Sequence, residues 1–264
     1  MQPYGCILAV HLNEPNFWYA KKMNTTQPER RRIFLMRHGS VTYFDVSGKP
    51  ILPESVPLNE AGRAQATAAG QEFARQQLRF DRVIVSGLPR TVETAQRVLA
   101  ETGQKIELEI WPELEEIRGG RLSAIPDEQL QAAFTGAFEG VVAEDRRFLG
   151  GESVGELLDR VHPALDRLRA DQSWDTVLMV LHGGVNRAIL SYVLTGGQRT
   201  FFGAMSQTAG CINAIDVGGH AQDWVLRFSN YSPPAPLQAE VRSTTMEQLL
   251  AEYMKFRVHF QQNK

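Results

Sequence analysis

Two apolar runs that each stop at a histidine constrain this chain more than any other feature. Residues 32–39 read R-I-F-L-M-R-H-G, and residues 176–184 read T-V-L-M-V-L-H-G-G. Neither run alternates with polar residues, which suits strands buried on both faces, as in a parallel sheet. Arg37-His38-Gly39 and His182-Gly183-Gly184 then fall at strand carboxyl ends. In open α/β sheets that edge is where ligands bind.

The 264 residues and 43% hydrophobic content allow one large α/β domain or two small ones. With 28 Lys and Arg against 30 Asp and Glu, the net charge of −2 gives no reason to expect a nucleic-acid or anionic-membrane partner, so any anion site must be local. Cys6 and Cys211 lie far apart and in no metal-type cluster, the usage of reduced thiols in a cytoplasmic protein. No apolar stretch approaches the ~20 residues of a membrane span. The first residues lack the basic start of a signal peptide, so residues 1–31 are expected to be an N-terminal extension, with Met23 an alternative start. Arg30, Arg31 and Arg32 read as a solvated lead-in, too few for a basic binding patch.

The pattern alternates strands and helices. After Gly39, a stretch with three prolines reads as a loop over the sheet edge. Asn59 caps a helix to about Gln77, with Ala66, Ala69 and Phe73 inward. Val83-Ile84-Val85 is a short strand, and Ser86-Gly87-Leu88-Pro89-Arg90 opens a helix with Val92, Ala95, Val98 and Leu99 inward and Gly103 as stop. Arg90 in the first turn opposes the helix dipole and needs either solvent or an anion to face. Ile106–Ile110 alternates like an edge strand. Residues 118–150 read as an inserted lid, with a short helix over Asp127–Phe134. Ser153-Val154-Gly155-Glu156 is a capping box opening a helix with Leu157, Leu158, Val161, Leu165 and Leu168 on one side. Cys211–Val217 and Trp224–Ser229 suggest an antiparallel hairpin at the sheet edge. Pro233, Pro234 and Pro236 make a linker to an amphipathic helix over Thr244–Gln262, whose Met246, Leu249, Leu250, Tyr253, Phe256 and Phe260 suit core packing or a homodimer contact rather than a membrane.

The expected architecture is an α/β three-layer sandwich: a mostly parallel central sheet, helices on both faces, and one antiparallel edge strand. Residues 32–232 would form the catalytic domain and 233–264 the linker and terminal helix. That topology brings Arg37, His38, Ser86, Arg90 and His182 to one edge. Two imidazoles and two guanidiniums repel one another unless a dianion is their guest, and Arg offers a fork matched to two phosphate oxygens.

R-H-G after the first strand, S-G-L-P-R before a helix, L-E-E-I, G-G-E-S and L-H-G-G-V-N-R together resemble the histidine phosphatase superfamily, which includes the cofactor-dependent phosphoglycerate mutases. The resemblance spans Arg32–Ser229. It implies that His38 takes the phosphoryl group as a phosphohistidine, that Arg37, Arg90 and His182 hold its equatorial oxygens, and that neither metal nor cofactor is required. The family's acid falls on Glu116 by spacing, with Glu113 and Glu115 as competitors. A phosphatase acting on a small phosphorylated substrate follows, with a mutase as the alternative. Two departures weaken the mutase reading: Ser40–Phe44 holds neither the Glu or Gln nor the Asn of the mutase pattern, and Gly120-Arg121-Leu122 replaces W-E-G. Arg118 and Arg121 are available to an acidic substrate but read more simply as exposed loop residues.

Other chemistries have weaker support. Gly151-Glu152-Ser153-Val154-Gly155 matches G-x-S-x-G, with His182 or His220 as base, yet a nucleophile elbow needs a buried strand before the serine and A-E-D-R-R-F-L is charged. The six histidines show no metal-ligand spacing, and no dinucleotide or P-loop glycine motif occurs. A non-catalytic phospholigand binder is the remaining alternative, disfavoured because both histidines and both arginines are retained.

Overall fold

Ile33 and Leu35 enter one apolar cluster and Phe34 and Met36 another, so the strand that carries them, β1 (Arg31–Arg37), is buried on both faces. In the computed structural model, which describes residues 30–45, 49 and 51–262, β1 stands inside a six-stranded sheet. The others are β2 (Arg82–Val85), β3 (Leu108–Ile110), β4 (Thr176–Leu181), β5 (Ile212–Val217) and β6 (Trp224–Tyr231), in the order β3-β2-β4-β1-β5-β6. β1, β2, β3 and β4 pair in parallel; β5 runs antiparallel to β1, and β6 antiparallel to β5. The mostly parallel sheet with an edge hairpin is therefore the one expected, the reversal falling in β5, one strand in from the edge.

Helices α1 (Glu60–Arg75) and α2 (Pro89–Thr102) cover one face through Ala69, Phe73, Ala95, Val98 and Leu99. Helices α4 (Val154–Ala170) and α5 (Gly183–Leu194) cover the other. The caps are those anticipated. Asn59 accepts from the Gly62 amide at 2.9 Å, and Ser153 and Glu156 exchange both bonds of a capping box.

Local departures have physical causes. β1 begins at Arg31, and the three arginines there are not a solvated lead-in: Arg30 pairs with Asp223, Arg32 with Asp216, and Arg31 bonds two carbonyls while lying over Trp174. β3 ends at Ile110 as expected but begins only at Leu108, because β2 offers it Val83, Ile84 and Val85 alone as partners. Apart from Arg30 and Arg31, the expected N-terminal extension lies outside the described residues, as do the side chains of Phe256 and Phe260.

The insertion is short 3-10 turns around α3 (Leu130–Thr135), and it joins the main core: Phe134 is wholly buried. Its stem is closed by Gly120 N to Leu149 O and Glu152 N to Arg118 O. The terminal helix α6 (Thr245–Gln262) packs on α3 and this cluster through Met246, Leu249, Leu250 and Tyr253, so the described part of its apolar face serves core packing.

Candidate active site

The parallel pairing of β1 with β4 sets Arg37 opposite Leu181, so His38 and His182 emerge side by side. Their rings lie 5.2 Å apart. Arg90, at the second position of α2, reaches the same place from beyond β2. All four side chains are buried, with relative exposures of 7% for Arg37, 1% for His38, 2% for Arg90 and 0% for His182. The solvated reading of Arg90 is thereby excluded.

Backbone contact fixes the histidines. His38 N donates to Leu181 O at 2.9 Å, and Gly210 N to His38 O at 3.0 Å. Gly39 is required by close approach: a Cβ there would sit 2.3 Å from the Gly62 carbonyl oxygen in the first turn of α1. The Gly39 amide donates to Thr94 Oγ1 at 3.1 Å, and that hydroxyl donates to Arg90 O, which ties the loop to α2.

The His38 Nδ1 lies 2.7 Å from the Gly39 carbonyl, which can only accept, so Nδ1 carries the proton and the Nε2 lone pair is free. His182 Nε2 lies 2.8 Å from Ser86 Oγ. Thr91 donates its hydroxyl proton to Leu88 O, so Ser86 gives its own to Thr91 and accepts from His182 Nε2–H, leaving a lone pair on Nδ1. Burial first, then Arg90, hold both histidines well below the ordinary imidazole pKa, with Arg37 adding to the effect. Both rings are neutral at pH 7.

In this cluster two buried donors, Arg37 Nε and Arg90 Nε, have no protein partner, and His182 Nδ1 has none either. Leaving such groups unmade costs about 1–3 kcal/mol each, more for charged ones. Arg90 Nη1 donates to Pro53 O at 2.6 Å, so the proline-rich loop after Gly39 does cover this edge.

Of the three acidic residues in E-L-E-E, only Glu116 faces this cluster. It accepts from Gly184 N at 3.0 and 3.1 Å and from Ile117 N at 3.0 Å. A Cβ on Gly184 would come within 2.5 Å of its Oε1, so glycine there admits the carboxylate. Glu113 instead pairs with Arg167, and Glu115 with the exposed Arg118 at 3.6 Å. Arg121 is exposed as well.

Sequence reasoning missed the residue that shapes this acidic segment. Arg160 of α4 uses all five of its N–H groups: Nε and Nη2 on the Glu152 carboxylate, Nη1 on the carbonyls of Glu113 and Glu115, and Nη2 again on that of Glu116. The capping box beside it was legible; this reach across the chain was not. Arg187 also went unnoticed, although it closes L-H-G-G-V-N-R one helical turn past Gly183. Its guanidinium bonds the Gly183 and Gly203 carbonyls and lies 4.9 Å from the Phe138 ring. Burial and Arg37 lower its pKa to about 10, so it stays charged.

Ser153 Oγ caps α4 and bonds neither His182 nor His220. Among the described residues no three His, Cys, Asp or Glu side chains are grouped to hold a metal, and no helix is long and apolar enough to cross a membrane.

A mostly parallel sheet flanked by helices, with two buried histidines and two buried arginines converging at one edge, defines an α/β protein. The chain belongs to the histidine phosphatase superfamily (branch 1), whose family model matches residues 33–230. Phosphoglycerate mutase-like protein 4 of Arabidopsis thaliana is 30% identical over 161 residues, 60% of this chain and 68% of that protein. The metal-independent phosphoserine phosphatase of the same plant is 30% identical over 166 residues, 62% and 68% of the two chains. Among solved structures, a mycobacterial glucosyl-3-phosphoglycerate phosphatase complexed with VO3 shares the fold, with a TM-score of 0.59 and 24% identity over 76% of this chain and 98% of that one.

Proposed function

We propose that this protein is a metal-independent phosphomonoesterase that hydrolyses a small phosphorylated metabolite through a phosphohistidine on His38. The observation that carries the reading is the pair of unpartnered buried donors, Arg37 Nε and Arg90 Nε, around a neutral imidazole whose Nε2 is free. A phosphoryl group supplies the acceptors those donors lack.

His38 Nε2 attacks phosphorus as the P–O bond to the leaving group breaks, and Glu116 delivers a proton to the departing oxygen. Water then attacks the phosphohistidine, Glu116 takes its proton, and orthophosphate leaves. Charge is handled by fixed cations: Arg37, Arg90 and Arg187 face one phosphate dianion while Glu116 is protonated, and the carboxylate left after proton delivery brings the sum to zero. That balance favours a monoester over the doubly phosphorylated species a mutase must hold, in keeping with the absence of the mutase-type Asn after Gly39. The phosphatases among the relatives support the same side.

The test is trapping of an acid-labile, base-stable phosphoenzyme from p-nitrophenyl phosphate, with the label mapped to His38. His38→Ala should abolish turnover, activity should persist in EDTA, and vanadate should inhibit. Full activity of His38→Ala would falsify the mechanism, and interconversion of phosphoglycerates faster than phosphate release would establish the mutase instead.

A further inference from the structure

The terminal helix α6 lies beyond the residues the family model matches, yet it touches the phosphate-facing edge. Arg37 Nη1 donates to two oxygens, the Gln207 carbonyl and Thr245 Oγ1, the latter at 2.9 Å. Nη1 has only two protons, so both are committed. The guanidinium is planar, and fixing Nη1 from two directions fixes the plane. What remains is the Nε–Nη2 edge, with Nε buried and unpartnered. That edge is the fork with which an arginine takes two phosphate oxygens at once.

The chain holds Thr245 there by several independent means. Thr244 and Glu247 exchange capping bonds, so Thr245 is the first residue of a well-started helix. Seven residues earlier, Gln238 adopts a left-handed backbone (φ 47°) and locks the segment to the loop behind Arg37. Its Oε1 accepts from Thr208 Oγ1 at 2.7 Å, and its Nε2 donates to Asn230 O at 2.8 Å. Further along, Tyr253 stacks between Phe134 of the insertion and Phe44 of the loop after β1, with centroids at 5.7 and 6.5 Å. The helix is thus pinned at both ends of its contact with the domain.

We propose that Thr245 is a positioning residue for Arg37: by occupying Nη1 together with the Gln207 carbonyl, it turns the Nε–Nη2 fork toward the phosphate, so the C-terminal helix is a working part of the active site. This deepens the phosphatase reading above and rests on it. Gln207 O is a backbone group delivered by the fold, whereas Thr245 Oγ1 is, among the described residues, the side chain hydrogen-bonded to this guanidinium, and so the adjustable partner.

The test uses the full chain with Thr245→Val, which keeps the branched shape and loses the acceptor, beside Thr245→Ser, which keeps the acceptor. Binding of inorganic phosphate is read by calorimetry and turnover with p-nitrophenyl phosphate. Thr245→Val is expected to weaken phosphate binding and lower kcat/KM about tenfold, the size of a lost hydrogen bond to a charged group. Thr245→Ser should stay near wild type, and melting temperatures should agree within about 2 °C. Should Thr245→Val melt lower than that, Thr245→Ala takes its place as the acceptor-free variant. Wild-type phosphate affinity in the acceptor-free variant, or an equal loss in Thr245→Ser, overturns the proposal while leaving the phosphatase reading intact. A wild-type protein that neither binds phosphate nor releases it from esters overturns both.

Discussion

The floor of the candidate site and its cover are built from different material. On the floor, His38 and His182 follow adjacent parallel strands, and each is set by backbone hydrogen bonds, helix starts and glycines that allow no added atom. On the cover, the proline-rich loop, the insertion and α6 meet through short 3-10 turns and a stack of Phe44, Tyr253 and Phe134. Positions held by backbone geometry tolerate sub-ångström error only, whereas stacked rings can slide and repack. Under the proposed function, the floor would govern whether phosphoryl transfer happens, and the cover which ester is admitted.

Substitutions on the floor should do most to expose that division. Arg90→Ala removes a buried cation at the transferring group, and kcat/KM should fall by about 10³-fold or more, on the scale of other arginines in phosphoryl transfer. Glu116→Gln should lower kcat by about 10²–10⁴-fold for alkyl phosphates and much less for p-nitrophenyl phosphate, whose leaving group needs no proton. Equal losses for both esters would mean that Glu116 is not the acid. Gly184→Ala, which crowds Glu116 Oε1, should cost on the order of 10²-fold by displacement alone, with a near-normal KM. On the cover, Tyr253→Ala should change kcat for p-nitrophenyl phosphate by only about twofold while altering KM across a panel of bulkier esters. A drop matching that of Arg90→Ala would erase the distinction between floor and cover.

The smallest effect concerns pH. The folded pKa values of His38 and His182 lie below that of an unfolded histidine, about 6.5. Below that pH the unfolded chain takes up protons that the folded chain refuses, so stability falls on acidification, by up to about 1.4 kcal/mol per pH unit for each ring. Urea midpoints between pH 7.5 and 5 measure the slope, and His182→Gln should reduce it. A slope unchanged by that substitution would show that these histidines are not the groups responsible.

The floor was legible in the sequence because its chemistry sits where element types change. Apolar runs ending in His38 and His182, Pro89 starting a helix with Arg90 in its first turn, and the Ser153 cap are local patterns with local causes. Glu116 was separable from its neighbours only by spacing, because the difference lies in what each carboxylate meets: a glycine amide for Glu116, Arg167 for Glu113, Arg118 for Glu115. Arg160 and Thr245 were invisible for another reason. Each reaches across a long stretch of chain, Arg160 to the carbonyls around Glu116 and Thr245 to Arg37, and no periodicity encodes where a helix end or a long side chain will dock. The three leading arginines misled because a run of like charge reads as solvated until three separate acceptors are found for it.

The place of β1 in the sheet carries a consequence for how the molecule comes into being. Arg32 is flanked by Thr176 on one side and Asp216 on the other, so the first of the described strands to leave the ribosome waits for nearly the last of them. Until β4 and β5 have been synthesised, Ile33, Phe34, Leu35 and Met36 have no strand beside them, and a chain broken off earlier presents an unpaired apolar strand, which invites aggregation. The pocket cannot be made in part: His38 gains its ceiling of backbone bonds from Leu181 and Gly210 in the same closing event that seats the strand. Newly made protein should pass from inert to competent in one late step, with no partially active fragment along the way.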